Sequence, residues 1–194
     1  LAGLKKGGTF LLNCTWTAEE LDANLPGQLK RYIAENDIKF YIIDAVKIAQ
    51  EIGLGGRINM IMQSAFFKLA DVIPLETAVK HLKEAVEHSY GKKGQNIVDM
   101  NNAAIDQGIN AIVAVEVPAA WANAEDSQLA PATGNEFVDN LLVPMNRLEG
   151  DKLPVSAFNN YADSTFPCGT SAHENRGSAI NVPDWQIDTC IQCN

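Results

Sequence analysis

Short apolar runs alternate with stretches of helical spacing through the first hundred residues. Residues 9–14 follow the turn signal Gly7-Gly8 and read as a buried strand. Thr17 and Glu20 have the spacing of a capping box, in which a hydroxyl and a carboxylate satisfy the first free N–H groups of a helix. Pro26 interrupts that helix, and residues 28–36 resume it through Leu29, Tyr32 and Ile33. Residues 38–43 are apolar almost throughout, as a strand covered on both faces of a parallel sheet requires. Residues 44–52 predict a helix that stops at Gly53, Gly55 and Gly56, and residues 57–72 predict a largely buried helix ended by Pro74. Residues 75–90 are amphipathic, with Ala78, Leu82, Ala85 and Val86 opposite Lys80, Lys83, Glu84 and Glu87. Residues 95–107 are again helical, and residues 109–117, before Pro118, predict a strand. Strands alternating with helices define an α/β fold class.

The pattern fades after residue 118. Pro131, Pro144, Pro154, Pro167 and Pro183 recur among Asn, Asp, Ser and Gly, so little regular structure is expected. Phe137, Leu141, Leu142, Phe158, Tyr161, Phe166 and Trp185 are too frequent for a disordered linker and predict an extended segment that wraps and packs. The organisation read from the chain is a Rossmann-like partial domain over residues 1–118, an extended and largely irregular C-terminal connector over 119–184, and a short start of something else over 185–194. The total of 194 residues suits one domain plus such an extra segment.

Composition narrows the function. The excess of 24 acidic over 15 basic residues, a net charge of −9, repels a phosphate backbone and argues against nucleic acid. No run is apolar and long enough for a membrane span. Four cysteines, at 14, 168, 190 and 193, are too few for a secreted disulfide framework and fit a reducing, cytoplasmic compartment. The chain opens without Met and closes on Cys190-Ile191-Gln192-Cys193-Asn194, half of a four-thiolate site, so we expect a piece of a longer polypeptide.

Cys190 and Cys193 are the most pointed chemistry, open to an iron–sulfur half-site, a zinc half-site or a redox dithiol. Cys14 reads as core and Cys168 as an inert thiol. Gly53-Leu54-Gly55-Gly56 leads into a helix whose free N–H groups could hold an anion, though the local sequence favours the glycines as punctuation between helices. Lys5-Lys6 and Lys92-Lys93 read as solvated pairs, and His81 and His88 as surface histidines without carboxylates nearby. His173 beside Glu174 makes no dyad. Asn59, Asn101 and Asn102 are amides in poor helix-forming positions. They either hydrogen-bond between helices or present donors and acceptors to a ligand, and periodicity alone favours the former.

Three blocks carry a resemblance: residues 3–13 (GLKKGGTFLLN), 38–45 (IKFYIIDA) and 56–67 (GRINMIMQSAFF). With Phe166-Pro167-Cys168-Gly169-Thr170-Ser171 and residues 185–194 (WQIDTCIQCN), they resemble the pyruvate:ferredoxin (flavodoxin) oxidoreductase family over essentially the whole chain. The resemblance implies a parent oxidoreductase that decarboxylates pyruvate on thiamine diphosphate and magnesium, passes electrons through 4Fe-4S clusters to ferredoxin or flavodoxin, and delivers acetyl to coenzyme A. It implies that this piece spans most of a gamma-type domain, a connector and the start of a ferredoxin domain. Asn59 and Asn101 match positions expected to contact coenzyme A, and Cys190 and Cys193 match the first two cluster ligands. No catalytic residue is implied here, because the thiamine- and pyruvate-binding residues fall in other domains. Partners implied are those domains and the electron acceptor, in a homo-oligomeric parent.

The chain departs from the family's pattern at Glu174-Asn175-Arg176, where Glu-Lys-Arg is common, and it lacks the third and fourth cysteines of the cluster run, so no cluster is expected to assemble and the piece alone is expected to be inactive. Rival readings are a scaffold that binds no ligand, the equivalent piece of an oxidoreductase for another 2-oxo acid, and an independent Cys-x2-Cys metal module.

Overall fold

Two parallel strands lie at the centre of the first unit. In the computed structural model, which describes residues 3–127, 132–173 and 183–191, β1 (Thr9–Asn13) pairs in parallel with β2 (Lys39–Ile43), and Phe10 and Phe40 stack in register. The crossover between them carries α1 (Leu21–Asn24) and α2 (Gly27–Glu35), as parallel neighbours require a long connection. Alternation along β2 splits the core into two layers. Phe40 and Ile42 pack with Leu21, Leu25, Ile33 and Trp121 on one face, while Ile43 packs on the other with α3 (Ala45–Ile52), α4 (Asn59–Ala70) and α6 (Gln95–Asn110). The amphipathic α5 (Leu75–Tyr90) adds an outer layer, setting Leu82 and Val86 against Val98 and Ile105 of α6. The result is a partial α/β domain.

The third strand differs from expectation. Residues 109–117 were expected to be a strand, but α6 continues to Asn110 because Ile109, one turn beyond Ile105, still packs on the apolar cluster between α5 and α6. Only Val113–Ala114 remain as β3, paired antiparallel to β2, and the sheet is therefore mixed, in the order β1-β2-β3 with β1 at an edge.

Helix ends follow the sequence signals more closely. Asp44 caps α3 by accepting from the Lys47 N–H at 2.9 Å, and Gly53 ends it at φ 92°, the left-handed turn glycine adopts without strain. Half of the capping box forms: the Glu20 carboxylate accepts from the Thr17 N–H at 2.9 Å, but helix begins only at Leu21. α4 corrects the expectation of a largely buried helix. It buries Ile61, Ser64 and Ala65 and leaves Phe66 54% exposed, because neighbours cover only one side of it. Ala85, on the margin of the apolar stripe of α5, is exposed.

The chain divides into a first compact unit, Leu1–Ser127, and a second, Gln128–Asn194. Residues 119–127, read from the sequence as connector, belong to the first unit, where Trp121 is only 2% exposed.

Within the second unit, a π-helical turn (Val138–Leu142) runs into α7 (Val143–Asn146), followed by short 3-10 segments. Val138 and Leu141 are buried. The rings of Phe137, Tyr161 and Phe166 meet pairwise, with centroids 5.1, 5.7 and 5.6 Å apart. The Asp139 carboxylate accepts from the Thr133 N–H and hydroxyl and from the Gly134 N–H, and these bonds hold its carboxyl below the usual range. Short helical turns and an aromatic knot thus punctuate a largely irregular segment. Trp185, expected to pack, is 65% exposed.

Candidate functional site

The carboxyl ends of parallel strands are where open α/β sheets bind ligands. Here that edge is filled by the protein itself. Asn13, the last residue of β1, accepts the Ala45 N–H through its side-chain oxygen at 2.9 Å, and Asp44, following β2, accepts that of Lys47, so the α3 N-terminus is closed by side chains from both strand ends. Sequence reasoning missed Asn13. Its signal was an amide placed where a strand hands over to a helix.

The neighbouring helix starts differ. α4 and α6 begin after Ile58 and Gly94, neither of which makes a side-chain cap. Asn59 is the first residue of α4 and is exposed, at the end of a loop that Leu54 anchors by burial while Gly55, Gly56 and Arg57 stay exposed. The Met100 Sδ lies 3.5 Å from where a Cβ of Gly53 would stand, which brings the turn of α6 carrying Asn101 alongside this loop. Asn101 is 5% exposed, and its amide nitrogen donates to the Ile97 carbonyl at 2.8 Å. That bond lies within its own helix, not between helices. Asn102, beside it, has a buried side-chain oxygen with no partner in the structure.

The spacing of these two helices is set by Gly108. A Cβ there would sit 2.3 Å from the Ser64 Oγ and 2.5 Å from the Ile61 carbonyl oxygen, so glycine is what lets α4 and α6 touch. Ser64 is buried, and its hydroxyl donates to the Ile61 carbonyl at 2.9 Å.

The other singled-out residues are dispersed. Cys14 is half-buried at the end of β1, and burial pushes its thiol above the ordinary value, as suits an unreactive group. Cys168 and Cys190 are exposed in the second unit, while Cys193 and Glu174-Asn175-Arg176 lie outside the described residues. Among the described residues no three His, Cys, Asp or Glu side chains gather as a metal site. A 4Fe-4S cluster takes four thiolates, and of the four cysteines Cys14 belongs to the first unit. His81 has a carboxylate after all: its Nδ1 lies 3.0 Å from Glu84 one turn on. Lys6 pairs with Asp37, and Lys93 lies over the Tyr90 ring. Among the described residues no helix is long and apolar enough to cross a membrane.

A partial α/β domain followed by a second unit of short turns is the class of protein this chain represents. The family model described as pyruvate ferredoxin/flavodoxin oxidoreductase matches residues 1–111, and the chain belongs to that family. A second model, EKR, described as a domain of unknown function, matches residues 123–179. The chain is 63% identical over 194 residues to the pyruvate-flavodoxin oxidoreductase of Enterobacter agglomerans, covering 100% of this chain and 16% of that protein. It is 54% identical over 195 residues to the pyruvate:ferredoxin oxidoreductase of Moorella thermoacetica, with 100% and 16% covered. It is also similar to the mitochondrial pyruvate dehydrogenase (NADP+) of Euglena gracilis, 44% identical over 200 residues, with 100% and 11% covered. The chain therefore spans 16% of the length of the first two relatives.

Proposed function

We propose that this chain is a segment of a pyruvate:ferredoxin or pyruvate:flavodoxin oxidoreductase that helps to bind coenzyme A, ties the α/β unit to an electron-transfer domain, and is inactive alone. The observation that carries the reading is the match of the whole chain, at 63% identity, to a pyruvate-flavodoxin oxidoreductase about six times its length. Asn59 is the residue best suited to touch the coenzyme, because its amide is exposed at a helix start, where free N–H groups favour an anionic or carbonyl-rich ligand. Asn101 fits from behind: one amide hydrogen is committed to Ile97, and the side-chain oxygen and second hydrogen are its remaining capacity. Holding the acyl acceptor in place replaces a diffusive encounter.

Thiamine diphosphate and magnesium, which would supply the decarboxylation chemistry, belong in this reading to domains outside the chain. Cys190 and Cys193 would be the first two thiolates of a 4Fe-4S cluster whose other ligands the parent supplies. The electron acceptor is ferredoxin or flavodoxin, and the setting is the cytoplasm, in a homo-oligomeric parent.

Calorimetric titration of coenzyme A into the chain, with circular dichroism to confirm folding, tests the ligand. Binding is expected, weakened about fivefold by Asn59→Ala, the worth of one hydrogen bond of ~1 kcal/mol. A folded chain that gives no heat supports the rival reading, a scaffold without a ligand. The bond from Asn101 to its own helix is the observation that favours that rival.

A further inference from the structure

The polypeptide leaves β3 and, over residues 118–127, lies across α1 and α2 before the first unit ends at Ser127. Apart from one 3-10 turn, Ala119–Asn123, the segment has no regular structure of its own. Among the described residues its sheet ladder ends with the Val115 N–H donating to Phe40 at 2.9 Å. What holds it beyond that point are side chains of the two helices beneath. The Trp121 indole N–H donates to Asp22 of α1 at 2.8 Å, and its ring packs on Phe40, centroids 6.3 Å apart. Arg31 of α2 donates to the Ala124 carbonyl and pairs with the Asp126 carboxylate. The Gly27 N–H, opening α2, donates to the Ser127 hydroxyl at 3.0 Å.

Two observations set this segment apart from the core it covers. Its seat is keyed to a glycine: a Cβ on Gly27 would fall 1.6 Å from the Glu125 carbonyl oxygen. Its packing is also incomplete, because a groove of about 370 Å³ separates Ile33, Ala34 and Ile38 from Val117, Pro118 and Ala122. Trp121 is the one large apolar anchor, while the Arg31–Asp126 pair is solvent-facing and of the kind that contributes little.

We propose that residues 118–127 form a releasable latch. Closed, it holds this stretch of chain flat on α1 and α2; opened, it frees about ten residues in one step and adds up to about 33 Å of slack to the link with the second unit, at ~3.3 Å per extended residue. The sheet and the layer of α3, α4 and α6 stay folded in both states, while Trp121 leaves its place beside Leu21, Leu25 and Ile33, so the opening is a sub-global event of the kind that amide exchange resolves.

Hydrogen exchange on the 194-residue chain, read by mass spectrometry, tests this, with endoproteinase cleavage after Glu125 as a second readout. In the unmodified chain, the hydrogen-bonded amides of 119–127, those of Trp121 and Ala124 among them, are expected to be protected and to exchange together, faster than those of 39–43. Gly27→Ala is expected to speed exchange across 119–127 at least tenfold and to expose Glu125 to cleavage, with protection of 9–13 and 39–43 unchanged. Arg31→Met, which keeps the apolar stem and removes the bonds to Ala124 and Asp126, is expected to act in the same direction, and it decides the matter if Gly27→Ala does not fold. Three results would overturn the latch: exchange of 119–127 at the unfolded rate in the unmodified chain, exchange of that segment only together with 39–43, or undiminished protection in the folded variants.

Discussion

A missing side chain sets the distance between the two helices of the candidate site. Gly108→Ala would drive a methyl into the Ser64 hydroxyl, a side chain of α4, and the Ile61 carbonyl, part of its backbone. Overpacking of this kind costs about 1–3 kcal/mol, so urea unfolding of the variant should show a lower midpoint with an unchanged slope. In the sequence Gly108 is only a weak spot in a helix, because its value depends on what faces it, and spacing along one chain does not reveal that. Asp22 shows the same dependence. Hydrogen bonds from Lys30 and then Trp121 hold its carboxyl below the usual range. Since the folded value is depressed, the contribution is fully present above the unfolded value of about 3.9 and is lost as pH falls below it toward the folded value. Indole emission should therefore report loosening of Trp121 below about pH 4, and Asp22→Asn should remove that step, with Trp121→Phe identifying the signal.

Among the elements, those whose reasons are local were legible. Asp44 and Gly53 bracket α3 as cap and left-handed stop, and Leu75–Tyr90 is the amphipathic helix its stripe implies. Asp44→Ala should cost about 1 kcal/mol of stability, as the loss of an N-cap does, measured by thermal unfolding. Ile105→Ala, which hollows the apolar layer between α5 and α6, should cost about 2–5 kcal/mol. What the pattern could not settle was where partners end. Ile109 reads equally as strand or helix, and only the cluster it joins extends α6 and shortens β3 to two residues. The site was legible to the same degree. Asn59 and Asn101 stood out as amides inside helices, but that one is exposed and the other committed to Ile97 follows from packing, as does the role of Asn13 in closing α3.

At the scale of the whole molecule, two units with separate cores should not melt as one. The first rests on the sheet and its two layers, and the second on Val138, Leu141 and an aromatic trio that is itself partly exposed. Val138→Ala should lower the melting of the second unit alone, seen as lost exchange protection over 135–146 with β2 unaffected. The sheet itself has a further effect. β1 offers its outer row of amides and carbonyls beside Phe10, Leu11 and Leu12, and its five residues include no proline and no charge. In concentrated solution, molecules can zip together along that margin. Keeping the protein dilute, or replacing Thr9→Lys to repel a second copy, should hold it monomeric where the unaltered chain pairs into dimers.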